Sequence, residues 1–175
     1  MSSNIIHSVY EDNSGIIWIG PYNGGGLHKF DRLKEQFNPY RYYLNKPSNF
    51  SIKNVWQIYE DQFSILWIGT YEGLYKLDRE SNLCINYSHD PKDPTSLSNN
   101  KVMSVCEDRS GTLWVGTVGG GLNLFDREKE NFLHYKHETN NPQSLSNNII
   151  LSIYEDNSGT IWIGTYGGGL NKFDK

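Results

Sequence analysis

The sequence predicts an all-β protein, a β-propeller built from four-stranded antiparallel sheets, and three observations lead to that prediction. A Trp-Ile-Gly hairpin is written four times in 175 residues, with tryptophans at positions 18, 67, 114 and 162. A repeat of roughly 40 to 50 residues is typical of propellers, in which each repeat forms one sheet, or blade. No segment has the apolar spacing of an amphipathic helix.

Each repeat divides into the same elements in the same order. Strand A is an apolar run that ends in two carboxylates, as in "VMSVCED", and a turn of Asn, Ser and Gly joins it to strand B, which carries the tryptophan. Glycines that tolerate positive φ form a hairpin to strand C, as in "GLNKF". An aromatic segment such as "NFLHYKHE" forms strand D, and a linker such as "NPQSLSNN" leads into the next repeat.

These elements predict one propeller region over the whole chain, divided into four blades, the last of which lacks its own strand D. The predicted blades are residues 4–52, 53–99, 100–147 and 148–175. Side chains alternate along a strand, so Trp162 projects to one face of its sheet while Ile161 and Ile163 project to the other. A sheet that is apolar on both faces needs a similar sheet against each side, which is how propeller blades pack.

The second repeat departs from the others at both of its hairpins. It has Phe63 and Ser64 where the other copies have Ser and Gly, and it has "YEGL" where they have three glycines. Since glycine permits turn conformations that other residues rarely adopt, we expect both turns of this repeat to differ in shape from their counterparts.

Three residue types recur in phase, and we expect structural roles for them. The tryptophans should pack between blades, the glycines two residues later should allow a neighbouring blade to approach, and the aspartates should accept backbone N–H bonds in the turn from A to B. Sugar platforms, metal ligands or acid/base pairs are the alternatives, but adjacent Glu and Asp on a strand point to opposite faces and cannot converge on one substrate atom. The positions are Trp18, Trp67, Trp114 and Trp162; Gly20, Gly69, Gly116 and Gly164; and Asp12, Asp61, Asp108 and Asp156.

Composition argues against several classes of partner. The net charge is -4, from 16 basic and 20 acidic side chains, which offers no basic surface for nucleic acid or an anionic membrane. No apolar run approaches the roughly 20 residues of a membrane span, and no export signal is recognisable at the N-terminus. We therefore expect neither nucleic-acid binding nor direct membrane insertion.

No constellation of catalytic or metal-binding residues can be singled out. The five histidines are not repeated in phase, so we expect no zinc site, no other metal and no cofactor. There is no G-x-S-x-G elbow, and the triple glycines lack the helix and lysine of a phosphate-binding loop. A disulfide between Cys84 and Cys106 is possible but is not what we expect. The sequence therefore predicts that the protein is not an enzyme.

The repeated pattern resembles a known family. D-x-S-G-x-[IL]-W-[IV]-G-T-x-x-G-G-L-x-x-[FL]-D, preceded by "LSNN" and an apolar strand, is similar to the two-component regulator propeller repeat, and the likeness covers residues 4–174. The resemblance implies the sensor region of a bacterial hybrid two-component protein, placed in the periplasm, in a family of which many members respond to carbohydrates. The hairpin also resembles the Asp-box of sialidase propellers, but Arg32, Arg79 and Arg127 are expected away from the axis, which disfavours that enzyme.

Propeller topology predicts where a ligand would bind. The hairpins from B to C and the linkers from D to A lie at the same end of each sheet, and we call this end the hairpin face. Tyrosines beside short amides and hydroxyls suit a neutral polar ligand such as an oligosaccharide, although the Ser and Asn side chains could equally cap turns. The hairpins contribute Tyr22, Asn23, Tyr71, Glu72, Val118 and Tyr166, and the linkers contribute Ser96, Ser98, Asn99, Ser144, Asn147 and Asn148.

Four blades without a final strand D leave apolar faces to be covered. A tight four-bladed ring, a dimer that closes an eight-bladed ring and a longer native protein are all possible, and we expect a homo-oligomer, with the dimer as the leading hypothesis. Two functions remain. The first is a non-catalytic ligand-binding sensor segment that recognises an oligosaccharide, and the alternative is a structural or protein-interaction propeller without a small-molecule ligand.

Overall fold

The computed structural model describes residues 4–23, 25–44 and 52–173, with the backbone alone at 43 and 44. The regular structure of these residues is β-strand, without a helix, so the all-β prediction is confirmed. None of the described residues belongs to a helix able to cross a bilayer.

Within the part of the chain that the structure describes, sixteen strands form four sheets. The first sheet has the order β1 (Ile6–Glu11), β2 (Ile17–Pro21), β3 (His28–Asp31) and β4 (Gln36–Pro39). The second has β6 (Val55–Glu60), β7 (Leu66–Thr70), β8 (Leu74–Asp78) and β9 (Leu83–Tyr87), with β5 (Tyr43–Leu44) beside β9. The third has β10 (Val102–Glu107), β11 (Leu113–Thr117), β12 (Gly121–Asp126) and β13 (Asn131–Tyr135), and the fourth has β14 (Ile150–Glu155), β15 (Ile161–Thr165) and β16 (Gly169–Phe173).

Each sheet follows the predicted order of strands A, B, C and D, with all of these neighbours antiparallel. The fourth sheet has three strands among the described residues, which agrees with the predicted lack of strand D. One strand was not expected: β5 pairs in parallel with β9, through Tyr43 opposite Leu83 and Leu44 opposite Cys84, and gives the second sheet a fifth strand.

The chain forms two compact units, Met1–Tyr87 and Ser88–Lys175, each of which contains two sheets. In the first unit, Trp18 of the first sheet and Val55 and Ile58 of the second belong to one buried cluster. In the second unit, Trp114 of the third sheet packs in a cluster with Ile150 and Ile163 of the fourth. The core of each unit therefore includes the interface between its two sheets, where apolar area is removed from water on both sides.

A β-bulge lies near the start of all four A strands. The register shifts between Ile6 and Ser8, and in the other repeats at the equivalent position. One residue of strand A therefore has no partner in strand B, which bends the strand locally. The equivalent shifts lie at Val55/Gln57, Val102/Ser104 and Ile150/Ser152.

The turn from A to B in the second repeat has the same shape as in the others, so the expectation that it differs is wrong. Ser64 adopts φ 60, close to the φ of 82 at Gly15 and 86 at Gly111. Phe63 and Ile65 donate their N–H groups to Asp61 Oδ1 at 2.9 and 3.0 Å, and these bonds hold the turn without a glycine. The B to C hairpin does differ, because Thr70 N–H bonds Gly73 O across a loop that is one residue shorter than in the third and fourth repeats.

Candidate functional site

The repeated aspartates organise the turn from A to B. Asp12 Oδ1 accepts the N–H groups of Ser14 and Ile16 at 3.0 and 2.9 Å, and Asp12 Oδ2 accepts the Trp18 indole N–H at 2.7 Å. The other three repeats have the same arrangement, with indole bonds of 2.7 to 2.8 Å to Asp61, Asp108 and Asp156. Both carboxylate oxygens are therefore engaged in holding a turn to a tryptophan.

These hydrogen bonds favour the ionised form of Asp12 and Asp156. The Ser158 hydroxyl and the Trp162 indole hold the pKa of Asp156 well below its usual range. At Asp12, burial acts to raise the pKa, but hydrogen bonds from Ser14 and Trp18 outweigh it and the net shift is downward. A carboxylate that donates no proton near neutral pH and has no free oxygen is poorly suited to acid/base catalysis.

The carboxylates that precede these aspartates link the sheets within each unit. Glu60 Oε2, from strand A of the second sheet, accepts the Asn13 N–H of the first sheet at 2.6 Å. Glu155 Oε2 accepts the Arg109 N–H in the second unit at 2.8 Å. Arg79 adds ion pairs to both Asp12 and Glu60. This end of the sheets is thus a network of internal ion pairs, with an open cleft of about 560 Å³ beside Arg79.

The glycines after the tryptophans lie where a neighbouring strand passes closely. A Cβ on Gly20 would lie 2.4 Å from Val55 Cγ1, and a Cβ on Gly116 would lie 2.5 Å from Ile150 Cγ2. At Gly164 the nearest atom would instead be Ser152 Oγ, in the same sheet, at 2.5 Å. Gly69 lies in β7 opposite Gln57.

At the other end of the sheets, hairpins and linkers meet on the hairpin face. In the second unit, Gly119 and Gly121 donate their N–H groups to Asn148 O at 3.0 and 2.9 Å, and Val118 forms a β-bridge with Ile149. The hairpin tip of the third sheet therefore rests on the linker that leads into the fourth. Tyr166 stands at the tip of the next hairpin, 65% exposed.

Several linker side chains predicted on this face form hydrogen bonds with nearby backbone groups. Asn99 Oδ1 accepts the Lys101 N–H at 2.9 Å, and Asn147 Oδ1 accepts the Ile149 N–H at 2.8 Å. Asn148 Oδ1 accepts the His137 N–H at 2.7 Å. The Ser96 and Ser144 hydroxyls likewise accept backbone N–H groups six residues earlier, whereas the Ser98 hydroxyl lies 3.2 Å from Thr117 Oγ1.

In the first unit the hairpin face carries a cluster of four aromatic rings. Tyr22 stacks on His7 with 4.7 Å between ring centroids, and His7 lies 4.3 Å from Trp56. Tyr71 contacts both Trp56, at 5.5 Å, and Tyr22, at 6.2 Å. We call His7, Tyr22, Trp56 and Tyr71 the aromatic cluster.

The two other hairpin residues predicted for this unit are placed beside that cluster by backbone bonds. Asn23, at the tip after Tyr22, donates its N–H to Asn54 Oδ1 at 3.0 Å. Glu72 donates its N–H to Thr70 Oγ1 at 2.9 Å and accepts the Asn86 side-chain amide through its carbonyl. The structure thus brings Tyr22, Tyr71 and their neighbours together in one unit.

Two members of the cluster were missed by the sequence analysis. His7 and Trp56 are the residues at the bulges of β1 and β6, and they occupy one position of the repeat. The signal was present in the sequence, since this position follows an Ile or Val in every copy and holds a different residue each time. Trp56 Nε1 is buried and has no hydrogen-bond partner among the described residues.

The statement that no histidine is repeated in phase is wrong for one pair. His89 and His137 lie at equivalent positions, and each donates its Nδ1–H to the carbonyl of a linker leucine, Leu97 at 2.9 Å and Leu145 at 2.6 Å. Each histidine holds its own linker in place, and the two imidazoles do not point at a common site. Across residues 4–23, 25–44 and 52–173, no group of three or more His, Cys, Asp or Glu side chains is arranged to hold a metal ion.

Comparisons with known proteins agree with the repeat geometry. A model of the two component regulator propeller family matches residues 1–23, 49–72, 96–119 and 144–167, which together make up more than half of the chain. Each matched segment runs from the linker through strands A and B to the hairpin tip. The sequence matches none of the curated proteins with which it was compared.

Solved structures show similar folds. The extracellular domain of BT3049, assigned as a hybrid two-component system of B. thetaiotaomicron, is 28% identical, with a TM-score of 0.82 over 99% of this chain and 24% of that one. The corresponding domain of BT4673 from the same organism is 27% identical, with a TM-score of 0.78 over 98% of this chain and 22% of that one. The chain thus spans about a quarter of each.

A lyase shares the fold alone. Virginiamycin B lyase from Staphylococcus aureus is 12% identical, with a TM-score of 0.64 over 97% of this chain and 55% of that one. The four matched segments, the repeated turn and the all-β sheets lead to one conclusion: this chain belongs to the two-component regulator propeller family.

Proposed function

We propose that this chain is a ligand-binding segment of the extracellular sensor of a bacterial two-component system, facing the periplasm and without catalytic activity. The observation that carries the proposal is the hairpin face, where the exposed Tyr166 and the partly buried Tyr22 and Tyr71 stand at hairpin tips beside the linkers. The proposal is also supported by two similar structures, since the domains of BT3049 and BT4673 are extracellular parts of proteins assigned to such systems.

The chemistry of the hairpin face favours a neutral saccharide. Tyr22 and Tyr71 offer aromatic rings in the first unit, and Tyr166 offers one in the second. Asn54 Oδ1 accepts the Asn23 N–H beside Tyr22, and Asn147 Oδ1 accepts the Ile149 N–H in the linker before the fourth sheet, so amide side chains stand near both hairpins. A sugar has apolar ring faces and hydroxyl groups that both donate and accept, so it can use the rings and the amides together.

The side chains that could act in catalysis are either hydrogen-bonded within the fold or in an unreactive protonation state. The repeated aspartates have both oxygens engaged in a turn. Burial raises the pKa of the Cys84 thiol to about 12, so this thiol is not a thiolate nucleophile near neutral pH. Likeness to virginiamycin B lyase at 12% identity supports the fold and no activity.

A binding experiment with matched tyrosines tests the proposal. The whole chain is screened against an array of neutral oligosaccharides, and the best-bound one is titrated by calorimetry. Tyr166→Ala should weaken binding at least about tenfold, because it removes an exposed ring from the hairpin tip. Tyr154→Ala is the control: Tyr154 is 63% exposed, almost the same as Tyr166 at 65%, but it lies near the far end of the same sheet.

Two results would contradict the proposal. Equal losses in the two variants would show that the ring at the tip has no particular role in binding. A folded wild-type chain that binds nothing on the array would favour the alternative, a propeller segment whose hairpin face contacts another protein.

A further inference from the structure

The bulge in strand A places one side chain of each repeat outside the regular packing of its sheet. His7, between Ile6 and Ser8, has no partner in β2, and the same holds for the bulged residues of the other three A strands. The residue before the bulge is fixed in the core in three of the repeats, since Val55, Val102 and Ile150 are completely buried. The bulged residue itself is at least partly exposed in all four.

The backbone at the bulge is held by a neighbouring sheet. Ile58, two residues after Trp56, donates its N–H to Ser8 Oγ of the first sheet at 3.1 Å. Ile153, two residues after Leu151, makes the same bond to Ser104 Oγ of the third sheet at 3.1 Å. The bulge is thus part of the contact between strands A in each unit, and its shape does not depend on the bulged side chain.

The chemistry at this position varies while its surroundings are constant. The preceding residue is Ile, Val, Val and Ile in the four repeats, whereas the bulged residues are an imidazole, an indole, a thioether and a branched alkyl group. These are His7, Trp56, Met103 and Leu151. A constant backbone that presents a different side chain in each copy is what a recognition surface requires, because the side chain can change while the backbone that positions it is kept.

Contacts in the first unit join the bulged position to the hairpin face. Trp56 lies 5.5 Å from the ring of Tyr71, and His7 lies 4.7 Å from the ring of Tyr22, so each bulged residue touches the hairpin tip of a sheet in its own unit. The Trp56 indole N–H has no partner in the described structure, whereas the other four indoles are bonded to aspartates. Among the described residues, Trp56 is therefore the one tryptophan whose indole N–H makes no hydrogen bond.

We propose that the bulged residue of strand A is the ligand-selecting position of each repeat, and that Trp56 is the principal one. The inference rests on the proposed function, since it assigns selectivity to one position on the hairpin face of each repeat. The aromatic cluster contributes apolar ring surface to a bound saccharide, and the residue at the bulge sets which ring face fits against it. Met103 and Leu151 give the second unit a purely apolar surface at the same position.

The test exchanges the side chains of two repeats. Trp56→Met installs the residue that the third repeat carries at this position, so the bulge is known to accept it. Phe63→Met is the matched control, because Phe63 is also an exposed aromatic residue of the second repeat but lies in the turn at the opposite end of the sheet. Each variant is assayed on the array of neutral oligosaccharides, by calorimetry with the best-bound one, and for its thermal unfolding midpoint.

Trp56→Met should weaken the best-bound oligosaccharide at least about tenfold and change the rank order on the array, while Phe63→Met changes neither. Unchanged affinity and rank order in Trp56→Met, with binding still lost in Tyr166→Ala, would overturn this inference and leave the proposed function standing. If the wild-type chain binds no oligosaccharide, both fail. If Trp56→Met lowers the unfolding midpoint more than Phe63→Met does, a loss of binding could come from a loss of stability. Met103→Trp then tests the inference, because it leaves the aromatic cluster intact and must still alter the rank order of oligosaccharides on the array.

Discussion

At the scale of single residues, one aspartate in every repeat both closes the turn from A to B and binds the tryptophan indole. Asp108 Oδ1 closes the turn by accepting the N–H groups of Ser110 and Thr112, and Asp108 Oδ2 accepts the indole of Trp114. The indole is buried, so a lost bond would leave a donor without water or protein to bond. This explains why Asp and Trp recur together at a fixed spacing.

We predict that Asp108→Asn destabilises the protein by about 1 to 3 kcal/mol, because an amide nitrogen in place of Oδ2 cannot accept the indole N–H. Asp93→Asn is the control, since Asp93 Oδ1 accepts the N–H and hydroxyl of Thr95 in an exposed turn without an indole. Urea unfolding followed by tryptophan fluorescence measures both. Equal losses in the two variants would show that the indole bond contributes nothing.

The same turns predict how stability depends on pH. The pKa of Asp156 is lowered in the folded chain, first by the Ser158 hydroxyl and then by the Trp162 indole. Its stabilising contribution is therefore complete above the ordinary aspartate pKa of about 3.9 and is lost as the pH falls from there toward the lower native value. Ser158→Ala should raise the pKa of Asp156, and a carbon-detected NMR titration of the carboxyl group measures it. Ser144→Ala, which alters another turn, should leave that pKa unchanged; a shift of equal size in both variants would refute the assignment.

At the scale of elements, glycine has a packing role that differs between sheets. Gly116 faces Ile150 of the adjacent sheet, whereas Gly164 faces only the hydroxyl of Ser152 in its own sheet. A branched side chain fixed in a core cannot move aside, but a serine hydroxyl can rotate. Equivalent positions of the repeat should therefore tolerate alanine very differently.

We predict that Gly116→Ala costs about 1 to 3 kcal/mol of stability through overpacking, and that Gly164→Ala costs clearly less. Both glycines lie in strand B without positive φ, so the backbone cost of the change is matched. Urea unfolding of the two variants gives the difference. A larger loss in Gly164→Ala would contradict the packing explanation.

The elements also show what the sequence could and could not predict. Periodicity predicted the strands and their order, because the turn residues and the alternating pattern are local. The turn at Ser64 was predicted wrongly, since the absence of glycine was weighted more than the Asp61 bonds that hold φ at 60. The bulge was not predicted because an unbroken alternation of side chains was assumed along strand A, and the register shift appears only in the pairing of A with B. His7 and Trp56 were missed for that reason.

At the scale of the whole molecule, the first and fourth sheets carry apolar side chains whose equivalents are buried elsewhere. Val9 of the first sheet is 67% exposed, but the equivalent Val105 of the third is buried. Leu170 of the fourth sheet is 65% exposed, but the equivalent Leu122 is completely buried. Exposed apolar faces of this kind favour association with another sheet.

We propose that two copies of this chain cover these faces and close an eight-bladed ring. Light scattering should then give about twice the chain mass of 20.1 kDa, and Leu170→Lys should shift the population toward monomer because it places a charge in the contact. Leu33→Lys is the control, since Leu33 is fully exposed in a turn. A wild-type chain that is monomeric at every concentration would exclude the dimer.

Ligand binding at the hairpin face can be located by NMR of the ¹⁵N-labelled chain titrated with the oligosaccharide that binds best. We expect chemical-shift changes in the amides of Tyr22, Tyr71 and Tyr166 and in the indole of Trp56, and none in the aspartate-bonded indoles of Trp18, Trp67, Trp114 and Trp162. Shifts confined to the opposite end of the sheets, around Ser14, Phe63 and the cleft beside Arg79, would contradict binding at the hairpin face.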